Sequence, residues 1–337
     1  MRAFAFEDRL SLEDLRLVEW PEPKAGPGQA LVRMRAASLN YRDLVVASGG
    51  YGRSVKPPLV PLSDGAGEVV EVGAGVTRVK PGDRVAAIFM QTWLDGALTG
   101  ERIKSSLGGA IDGVLADYMV FDAEGLVPIP EHLSYVEAAA LPCAAVTAWN
   151  ALVTEGGIRA GDSVVVLGTG GVSVFALQFA RLHGARVIIT SSSDEKLARA
   201  MALGASDGIN YRQTIEWGRR VQKLTGGLGA DHILEVGGAG TLPQSFHAIR
   251  FGGRISLIGV LSEPGAGVDP RPLLMKGARL QAIYVGSREM FEAMNRAIAL
   301  ARLHPVIDRV FPFTEAPEAY HYLESGRHFG KIVISCE

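Results

Sequence analysis

The sequence has few cysteines and no long hydrophobic run. Its 337 residues include only Cys143 and Cys336, which excludes a disulfide framework and a four-cysteine zinc site. Val164–Ala180 comes closest to the roughly 18 apolar residues of a membrane span, but a glycine turn interrupts it. No apolar signal core occurs at the N-terminus. We therefore expect a cytoplasmic protein with no membrane partner.

The sequence also lacks an excess of charge of either sign. It has 34 Lys and Arg against 36 Asp and Glu, a net charge of −2, and its basic residues form no long run. A nucleic-acid groove needs concentrated positive charge, so we expect no nucleic-acid partner. Apolar residues make up 47% of the chain. That fraction and the chain length are sufficient for two domains, each with its own core.

One stretch predicts a nucleotide-binding unit. A β-branched run, Val164–Leu167, leads into a glycine turn, an apolar helical pattern follows, and Arg186–Thr190 is a second β-branched run. This order is the context of a dinucleotide fingerprint; the alternative is a plain buried βαβ unit. The third fingerprint glycine is replaced by Ser173, which is still small. The residues expected to hold the pyrophosphate are Gly168, Gly170, Gly171 and Val172.

The rest of the chain divides into a β-rich region and a region in which strand and helix patterns alternate. Residues 1–122 read as β-rich, with strand patterns at Arg2–Phe6, Leu15–Trp20, Ala30–Ala37 and Glu68–Val72. A helical pattern with a capping box begins at Ser134, and strands and helices then alternate. The predicted strands are 164–168, 186–190, 207–210, 232–236, 254–259 and 280–285, and the predicted helices are 171–183, 194–203, 213–224, 241–249 and 287–302. This alternation predicts a doubly wound parallel sheet.

The order of motifs resembles the medium-chain dehydrogenase/reductase superfamily over the full length. The motifs begin at Pro27, Ser38, Pro61, Lys80, Leu141, Gly168 and Gly330. The resemblance implies an α/β protein: a GroES-like β-rich catalytic domain at 1–122, a Rossmann NADP-binding domain at 123–286, and a segment at 287–337 that completes the catalytic domain. It also implies an active-site cleft between the domains. Within the superfamily the chain is similar to the zinc-free quinone and enone reductases.

Residue types at the family's metal positions predict a site without zinc. The catalytic Cys, His and Cys of the zinc enzymes correspond here to Asn40, Ser63 and Cys143, with Asp64 beside Ser63. Amide and hydroxyl oxygens are poor zinc donors, and a catalytic zinc needs three good ligands. The segment around residues 93–115 also lacks the cysteines of a structural zinc lobe. We expect Cys143 to be a buried small hydrophobe.

The end of the second strand of the fingerprint favours NADP(H) over NAD(H). An NAD site places a carboxylate there, whereas this strand ends in Ser191 and Ser192. Lys196 can supply positive charge to a 2′-phosphate. The resemblance implies that Lys196 and Tyr211 hold that phosphate. Alternatively, Lys196 is a solvated helix residue and Tyr211 caps a strand.

The resemblance implies further cofactor contacts, each with a structural alternative. It places Asn40 against the cofactor, Thr147 near the nicotinamide ribose, and Gly259 and Val285 beside the cofactor at later strand ends. The alternative for Thr147 is a helix hydroxyl that binds the preceding turn.

Two tyrosines are predicted to do the chemistry. Without a metal, a hydroxyl donor can stabilise a developing enolate, and Tyr41 ranks ahead of Tyr51 because it follows Asn40 directly. Asp64 is expected to orient Tyr41 or to neutralise Arg42. Either tyrosine can equally be a packed aromatic residue.

Three functions remain open on the sequence alone. The first is an NADPH-dependent reductase that transfers hydride to an activated C=C bond or a quinone, with a small carbonyl, enone or quinone as its partner. The second is an alcohol dehydrogenase, and the third is a nucleotide-binding protein without turnover. The resemblance also implies a homodimer, formed by pairing of the β-rich segment Leu280–Val285.

Overall fold

The chain folds into two compact units. A computed structural model describes residues 1–52, 55–261 and 267–337. Unit 1 comprises Met1–Val146 and Gly286–Glu337, and unit 2 comprises Thr147–Val285. The sequence analysis placed the first boundary after residue 122, whereas the structure divides the chain after Val146. The reason is that the strand at Leu126–Pro128 pairs within the sheet of unit 1.

The strands and helices of the described residues are as follows. The strands are β1 (Arg2–Phe6), β2 (Leu15–Glu19), β3 (Gln29–Ser38), β4 (Asp64–Val72), β5 (Arg84–Ala87), β6 (Tyr118–Asp122), β7 (Leu126–Pro128), β8 (Ser163–Leu167), β9 (Arg186–Ser191), β10 (Asp207–Asn210), β11 (Ala230–Glu235), β12 (Ile249–Leu257), β13 (Arg279–Ala282), β14 (Ile307–Pro312) and β15 (Lys331–Ser335). The helices are α1 (Tyr41–Ala47), α2 (Gly100–Ile103), α3 (Tyr135–Ala138), α4 (Val146–Trp149), α5 (Gly171–Leu182), α6 (Asp194–Ala202), α7 (Trp217–Leu224), α8 (Leu242–Ala248), α9 (Arg271–Met275), α10 (Arg288–Ala301) and α11 (Ala316–Glu324).

Unit 1 is built on a mostly antiparallel sheet. Its strand order is β14-β15-β3-β4-β5-β7, with β6 paired to β3, and β1 and β2 form a separate pair. The late strand β15 lies directly against the early strand β3, with Val333 opposite Ser38. A buried apolar cluster, which includes Phe6, Met34 and Tyr320, forms its core. The C-terminal strands therefore complete the sheet that the N-terminal strands begin.

Unit 2 contains a parallel sheet with helices in its connections. The strand order is β10-β9-β8-β11-β12-β13, and every pairing is parallel. Counted from β8, this order is 3-2-1-4-5-6, the arrangement of dinucleotide-binding sheets. The central strands β8, β9 and β11 are almost wholly buried, as expected for a parallel sheet covered on both faces. The predicted α/β fold class is confirmed.

Several predicted boundaries were wrong. The strand predicted at 254–259 begins at Ile249, directly after α8 ends at Ala248. The strand predicted at 280–285 ends at Ala282, opposite Leu257, where its partner β12 also ends. Three helices, α1, α2 and α9, lie where no helix was predicted. Among the described residues, no helix has the length and apolar character needed to cross a membrane.

Candidate active site

The glycine turn after β8 leads directly into the N-terminus of α5. Gly168 has φ of +72°, a left-handed conformation that glycine adopts without strain. Gly170 is the N-cap of α5, so the free N–H groups of the first helical turn begin at Gly171 and Val172. All four residues are half-buried at the carboxyl end of β8. Unit 2 therefore offers backbone donors and no bulky side chain at this turn.

Ser173 occupies the position of the third glycine of the fingerprint. The side chain is buried, and its Oγ donates to the carbonyl oxygen of Leu167 at 2.6 Å. The hydroxyl thus joins the first turn of α5 to the end of β8. Close helix–strand packing, the usual purpose of the third glycine, is retained through a hydrogen bond.

The end of β9 presents hydroxyl groups. Ser191 is buried, and its Oγ accepts from the backbone N–H of Ser193 at 3.2 Å. Ser193 is the N-cap of α6 and accepts from the N–H of Lys196. Ser192 and Lys196 are half-buried, in or just before the first turn of α6. The structure therefore brings the predicted Ser191, Ser192 and Lys196 together at one strand end.

The first acidic residue after this strand is engaged elsewhere. Asp194 Oδ1 accepts from the side-chain amide of Asn210 at 2.7 Å, and Oδ2 accepts from that of Gln213 at 3.1 Å. These bonds hold the carboxylate at the end of the neighbouring strand β10. Tyr211 directly follows the last residue of β10. Its N–H donates to the carbonyl oxygen of Ser191 at 3.1 Å, and its side chain is exposed.

A buried carboxylate that the sequence analysis missed organises the next loop. Glu235 is fully buried at the end of β11, and Oε1 accepts from the N–H groups of Gly237 at 2.8 Å and Gly238 at 3.1 Å. The hydroxyls of Thr241 and Ser245 also donate to this carboxylate. Four donors on one side chain fix the backbone path from β11 into α8. An acid two residues before paired glycines, at a predicted strand end, was the available signal.

The two later positions, Gly259 and Val285, have unusual backbone requirements. A Cβ at Gly259 would lie 2.7 Å from the carbonyl oxygen of Val236, so only glycine fits. Val285 has φ of +53°, a strained conformation for a β-branched residue. Its carbonyl oxygen accepts from Asn150 Nδ2 at 2.8 Å, and Asn150 is itself buried. Thr147, the remaining predicted residue of unit 2, is also buried.

In unit 1, Asn40 is held by a buried lysine. Lys331 Nζ donates to Asn40 Oδ1 at 2.7 Å and also to the carbonyl oxygen of Leu39. Burial lowers the pKa of Lys331, although the Asp64 carboxylate acts in the opposite direction. Asn40 Nδ2 is buried as well. Both polar atoms of the Asn40 side-chain amide, which was predicted to contact the cofactor, are thus buried inside the protein.

Asp64 is fully buried and binds neither group that was expected. Its Oδ1 accepts from Ser63 Oγ at 2.7 Å and its Oδ2 from the backbone N–H of Cys143 at 3.0 Å. Burial raises the pKa of Asp64, and the Lys331 ammonium opposes that effect. The hydrogen bonds of the described residues therefore link Asp64 to Ser63 and Cys143 rather than to Tyr41.

Arg42 pairs with a different carboxylate, Asp43. Arg42 Nη1 lies 3.2 Å from Asp43 Oδ1 and also donates to the carbonyl oxygens of Leu107 and Gly108. Asp43 Oδ2 accepts from the N–H of Asn40 at 2.7 Å, which caps α1. Burial raises the pKa of Asp43 to about 6, against the opposing effect of Arg42.

The two predicted tyrosines differ in their surroundings. Tyr41 is the first residue of α1 and is 52% exposed, so its hydroxyl is accessible. Tyr51 is half-buried, and its ring lies 4.4 Å from the Arg42 guanidinium in a cation–π contact. The accessible tyrosine is therefore the one ranked first on sequence.

The donor set at the expected metal positions does not fit zinc. Asn40 Oδ1 accepts from Lys331, and Ser63 Oγ donates to Asp64. Burial, with the nearby Asp64 charge, raises the pKa of the Cys143 thiol. Zinc binds the thiolate, which this environment disfavours. Within residues 1–52, 55–261 and 267–337, no three His, Cys, Asp or Glu side chains form a group that could hold a metal.

The loop at 88–115 is organised by side chains. Trp93 Nε1 donates to the carbonyl oxygen of Gly96 at 2.9 Å, and Arg102 Nη1 donates to the carbonyl oxygens of Asp95 and Ala97. The Arg102 guanidinium thus holds two carbonyl groups of the turn at residues 95–97. The loop has an internal scaffold that uses no cysteine.

Comparisons with known proteins agree with this architecture. Residues 26–131 match the alcohol dehydrogenase GroES-like domain, and residues 171–300 match the zinc-binding dehydrogenase family. A zinc-type alcohol dehydrogenase-like protein of Schizosaccharomyces pombe is 44% identical, over 99% of both chains. The solved structure of an NAD-dependent alcohol dehydrogenase is 34% identical, with a TM-score of 0.92 over all of both chains. A 2-octenoyl-CoA carboxylase reductase, CinF, solved with NADP and 2-octenoyl-CoA, is 29% identical, with a TM-score of 0.88 over 99% of this chain and 87% of its own.

The fold and these similarities define an NAD(P)-dependent oxidoreductase. A parallel sheet in the dinucleotide-binding order accompanies a GroES-like unit in the same chain. The chain belongs to the medium-chain dehydrogenase/reductase superfamily, as its motifs indicated.

Proposed function

We propose that the protein is an NADPH-dependent reductase that acts, without a metal, on an activated C=C bond or a quinone. The observation that carries the proposal is the state of the three side chains at the expected metal positions: Asn40 Oδ1 accepts from Lys331, Ser63 Oγ donates to Asp64, and burial raises the pKa of the Cys143 thiol. These side chains are poor ligands for a Lewis acid that would polarise an alcohol. An electron-poor alkene needs no such activation. The similarity to a reductase solved with NADP and 2-octenoyl-CoA, an activated alkene, supports the same choice.

In this proposal each unit has a separate task. A bound nicotinamide supplies the hydride. Unit 2 binds the dinucleotide through Gly168, Gly170, Gly171 and Val172, with Thr147, Gly259 and Val285 expected to flank it. In unit 1 the Tyr41 hydroxyl donates a hydrogen bond to the substrate carbonyl oxygen, where negative charge develops. Tyr51, beside Arg42, is the second choice for this donor.

Alcohol oxidation is the second candidate function. The observation that favours it is the similarity to an alcohol dehydrogenase-like protein and to an NAD-dependent alcohol dehydrogenase. A nucleotide-binding protein without turnover is not retained, because the chain belongs to an oxidoreductase family.

An activity screen separates the two candidates. Purified protein is assayed for oxidation of NADPH and NADH with enones and quinones, and for reduction of NADP+ and NAD+ with primary and secondary alcohols. We expect turnover with NADPH and an enone or quinone. If the protein turns over only alcohols, whichever cofactor is supplied, the reductase proposal is wrong and alcohol oxidation replaces it.

The protein is expected to contain no stoichiometric zinc. A metal at this site would have to displace the Lys331–Asn40 and Ser63–Asp64 hydrogen bonds. Elemental analysis after dialysis should give far less than one zinc per chain, and a chelator should leave activity unchanged. About one zinc per chain, with activity lost to the chelator, contradicts the metal-free mechanism.

NADPH is expected to bind more tightly than NADH. Ser191, Ser192 and Lys196 lie at the strand end, and Asp194 is engaged by Asn210 and Gln213. Lys196→Glu should weaken NADPH by about 1–3 kcal/mol and leave NADH almost unchanged, because charge-assisted bonds to the 2′-phosphate are lost.

The measurement is fluorescence titration with both cofactors. Lys223→Glu, at an exposed position of α7, makes the same charge change as a matched control and should alter neither affinity. Equal NADPH and NADH affinities in the parent protein would refute the assignment.

We also propose a homodimer formed at the free edge of the unit 2 sheet. All four residues of the edge strand β13 are exposed, and the side chains of Leu274 and Met275 nearby are 78% and 76% exposed. Sedimentation equilibrium should give twice the chain mass. Gln281→Pro should shift the equilibrium towards monomer, because proline removes a strand donor; a monomeric parent protein contradicts the proposal.

A further inference from the structure

Lys331 is a buried cation far in sequence from the residues it contacts. Only 3% of the residue is exposed. It begins β15, which pairs with β3, and the N–H of Leu39 donates to the carbonyl oxygen of Ile332 at 3.1 Å. A buried lysine is rare unless it is paired. Its contacts therefore merit a specific explanation.

The contacts of Lys331 converge on the turn that leads from β3 into α1. Its Nζ donates to the carbonyl oxygen of Leu39 and to Asn40 Oδ1. An ammonium only donates, so the Asn40 atom that faces it must be the amide oxygen. The N–H of Asn40 is held from the other side by Asp43. The peptide unit between Leu39 and Asn40 is thus held at its carbonyl oxygen by Lys331 and at its N–H by Asp43.

Tyr41 follows this anchored turn directly. It is the first residue of α1, and its side chain is half exposed, in contrast to the turn before it. The position of its Cα depends on Asn40, since consecutive Cα atoms are a fixed 3.8 Å apart. A shift in the turn consequently moves the tyrosine hydroxyl.

We propose that Lys331 is a positioning residue for the Tyr41 hydroxyl and acts through Leu39 and Asn40. The proposal rests on the proposed function, in which that hydroxyl donates to the substrate carbonyl oxygen. Lys331 itself touches neither substrate nor cofactor in this scheme. Its ammonium fixes the turn from which the donor projects.

The first test is Lys331→Met, which keeps much of the side-chain volume and removes the donors. The kcat with the best enone or quinone should fall about 10–10²-fold, the loss expected when a reacting group is misplaced by about 1 Å. NADPH affinity should not change, because the nucleotide-binding residues lie in unit 2. In a Tyr41→Phe background the same change should have almost no further effect on kcat.

A second variant separates positioning from charge balance. Lys331→Met leaves the buried Asp64 carboxylate without its cation, so a lower unfolding midpoint is expected. Lys331→Met combined with Asp64→Asn removes both charges and should recover much of that midpoint. Its kcat should nevertheless stay about 10-fold or more below that of Asp64→Asn alone. Equal kcat values for these two variants would show that Lys331 only balances charge, and would overturn the proposal.

A spectroscopic readout tests the anchor without any assay of activity. The chain contains only four asparagines, Asn40, Asn150, Asn210 and Asn295, so selective ¹⁵N labelling gives four side-chain amide signals. Asn40→Asp identifies the signal of Asn40. Lys331→Met should shift that signal and speed its exchange with solvent, and leave the other three in place.

The outcomes are distinguishable. A parent protein that reduces no enone or quinone contradicts the proposed function, whereas the amide signals still report on the anchor. An unchanged Asn40 signal in Lys331→Met contradicts the anchor itself. A changed signal with undiminished kcat shows that the turn moves without affecting the donor, which also overturns the positioning role.

Discussion

Tyr41→Phe is expected to lower kcat by about 10²–10³-fold with the best enone or quinone, the loss typical of removing one oxyanion donor. Tyr41 begins α1 directly after the Asn40 N-cap, and its side chain is 52% exposed, so its hydroxyl can reach a ligand. A donor that acts only in the transition state affects kcat and not cofactor binding. NADPH affinity should therefore equal that of the parent protein.

Tyr51→Phe is the matched control for this experiment. It removes the same hydroxyl from a tyrosine whose ring packs on Arg42. We expect a smaller loss of kcat, because the exposed tyrosine is the preferred donor. If both variants keep full turnover, neither tyrosine is the donor, and catalysis depends on positioning or on a backbone N–H.

Glu235→Ala should cost at least about 3 kcal/mol of unfolding free energy, since each buried donor left unpaired costs about 1–3 kcal/mol. The substitution removes the acceptor of two backbone N–H groups, at Gly237 and Gly238, and of two hydroxyls, at Thr241 and Ser245. A loss of NADPH affinity should accompany it, because the loop after β11 loses its fixed path.

Two further variants make the Glu235 prediction specific. Glu235→Gln keeps one acceptor oxygen, and its amide can donate to the Ser245 hydroxyl, which can reverse its role. We therefore expect a much smaller destabilisation than for alanine. Ser245→Ala removes a single donor and should cost about 1 kcal/mol. Urea unfolding of the three variants measures the series, and similar values for Glu235→Ala and Ser245→Ala would contradict the network.

Features encoded by neighbouring residues were predictable from sequence. The glycine turn at Gly168, the serine N-cap of α6 and the capping box at Ser134 depend on local hydrogen bonds. Helix α1 also had a local signal, the N-cap Asn40 followed by Asp43 three residues later. That signal was overlooked because the surrounding residues read as β-rich.

Features made by distant residues were not predictable in the same way. Lys331 meets Asn40 only because β15 pairs with β3, and no pattern in either segment specifies that contact. The expectation that Asp64 acts on Tyr41 or Arg42 came from the region of the site in which the family resemblance places these residues. In the fold, Asp64 instead binds the N–H of Cys143, 79 residues away. Buried polar partners are chosen by topology, which a single sequence does not reveal.

The pairing of β15 with β3 also bears on the order in which the protein can form during synthesis. Unit 2 is one continuous segment, Thr147–Val285, so all of its strands leave the ribosome before α10 does. Asp64 is buried in unit 1, but the Lys331 ammonium that opposes the rise in its pKa is translated hundreds of residues later. Until then Asp64 lacks the ammonium that opposes the cost of burying its carboxylate. Unit 2 can therefore complete its sheet during synthesis before β15 joins the sheet of unit 1.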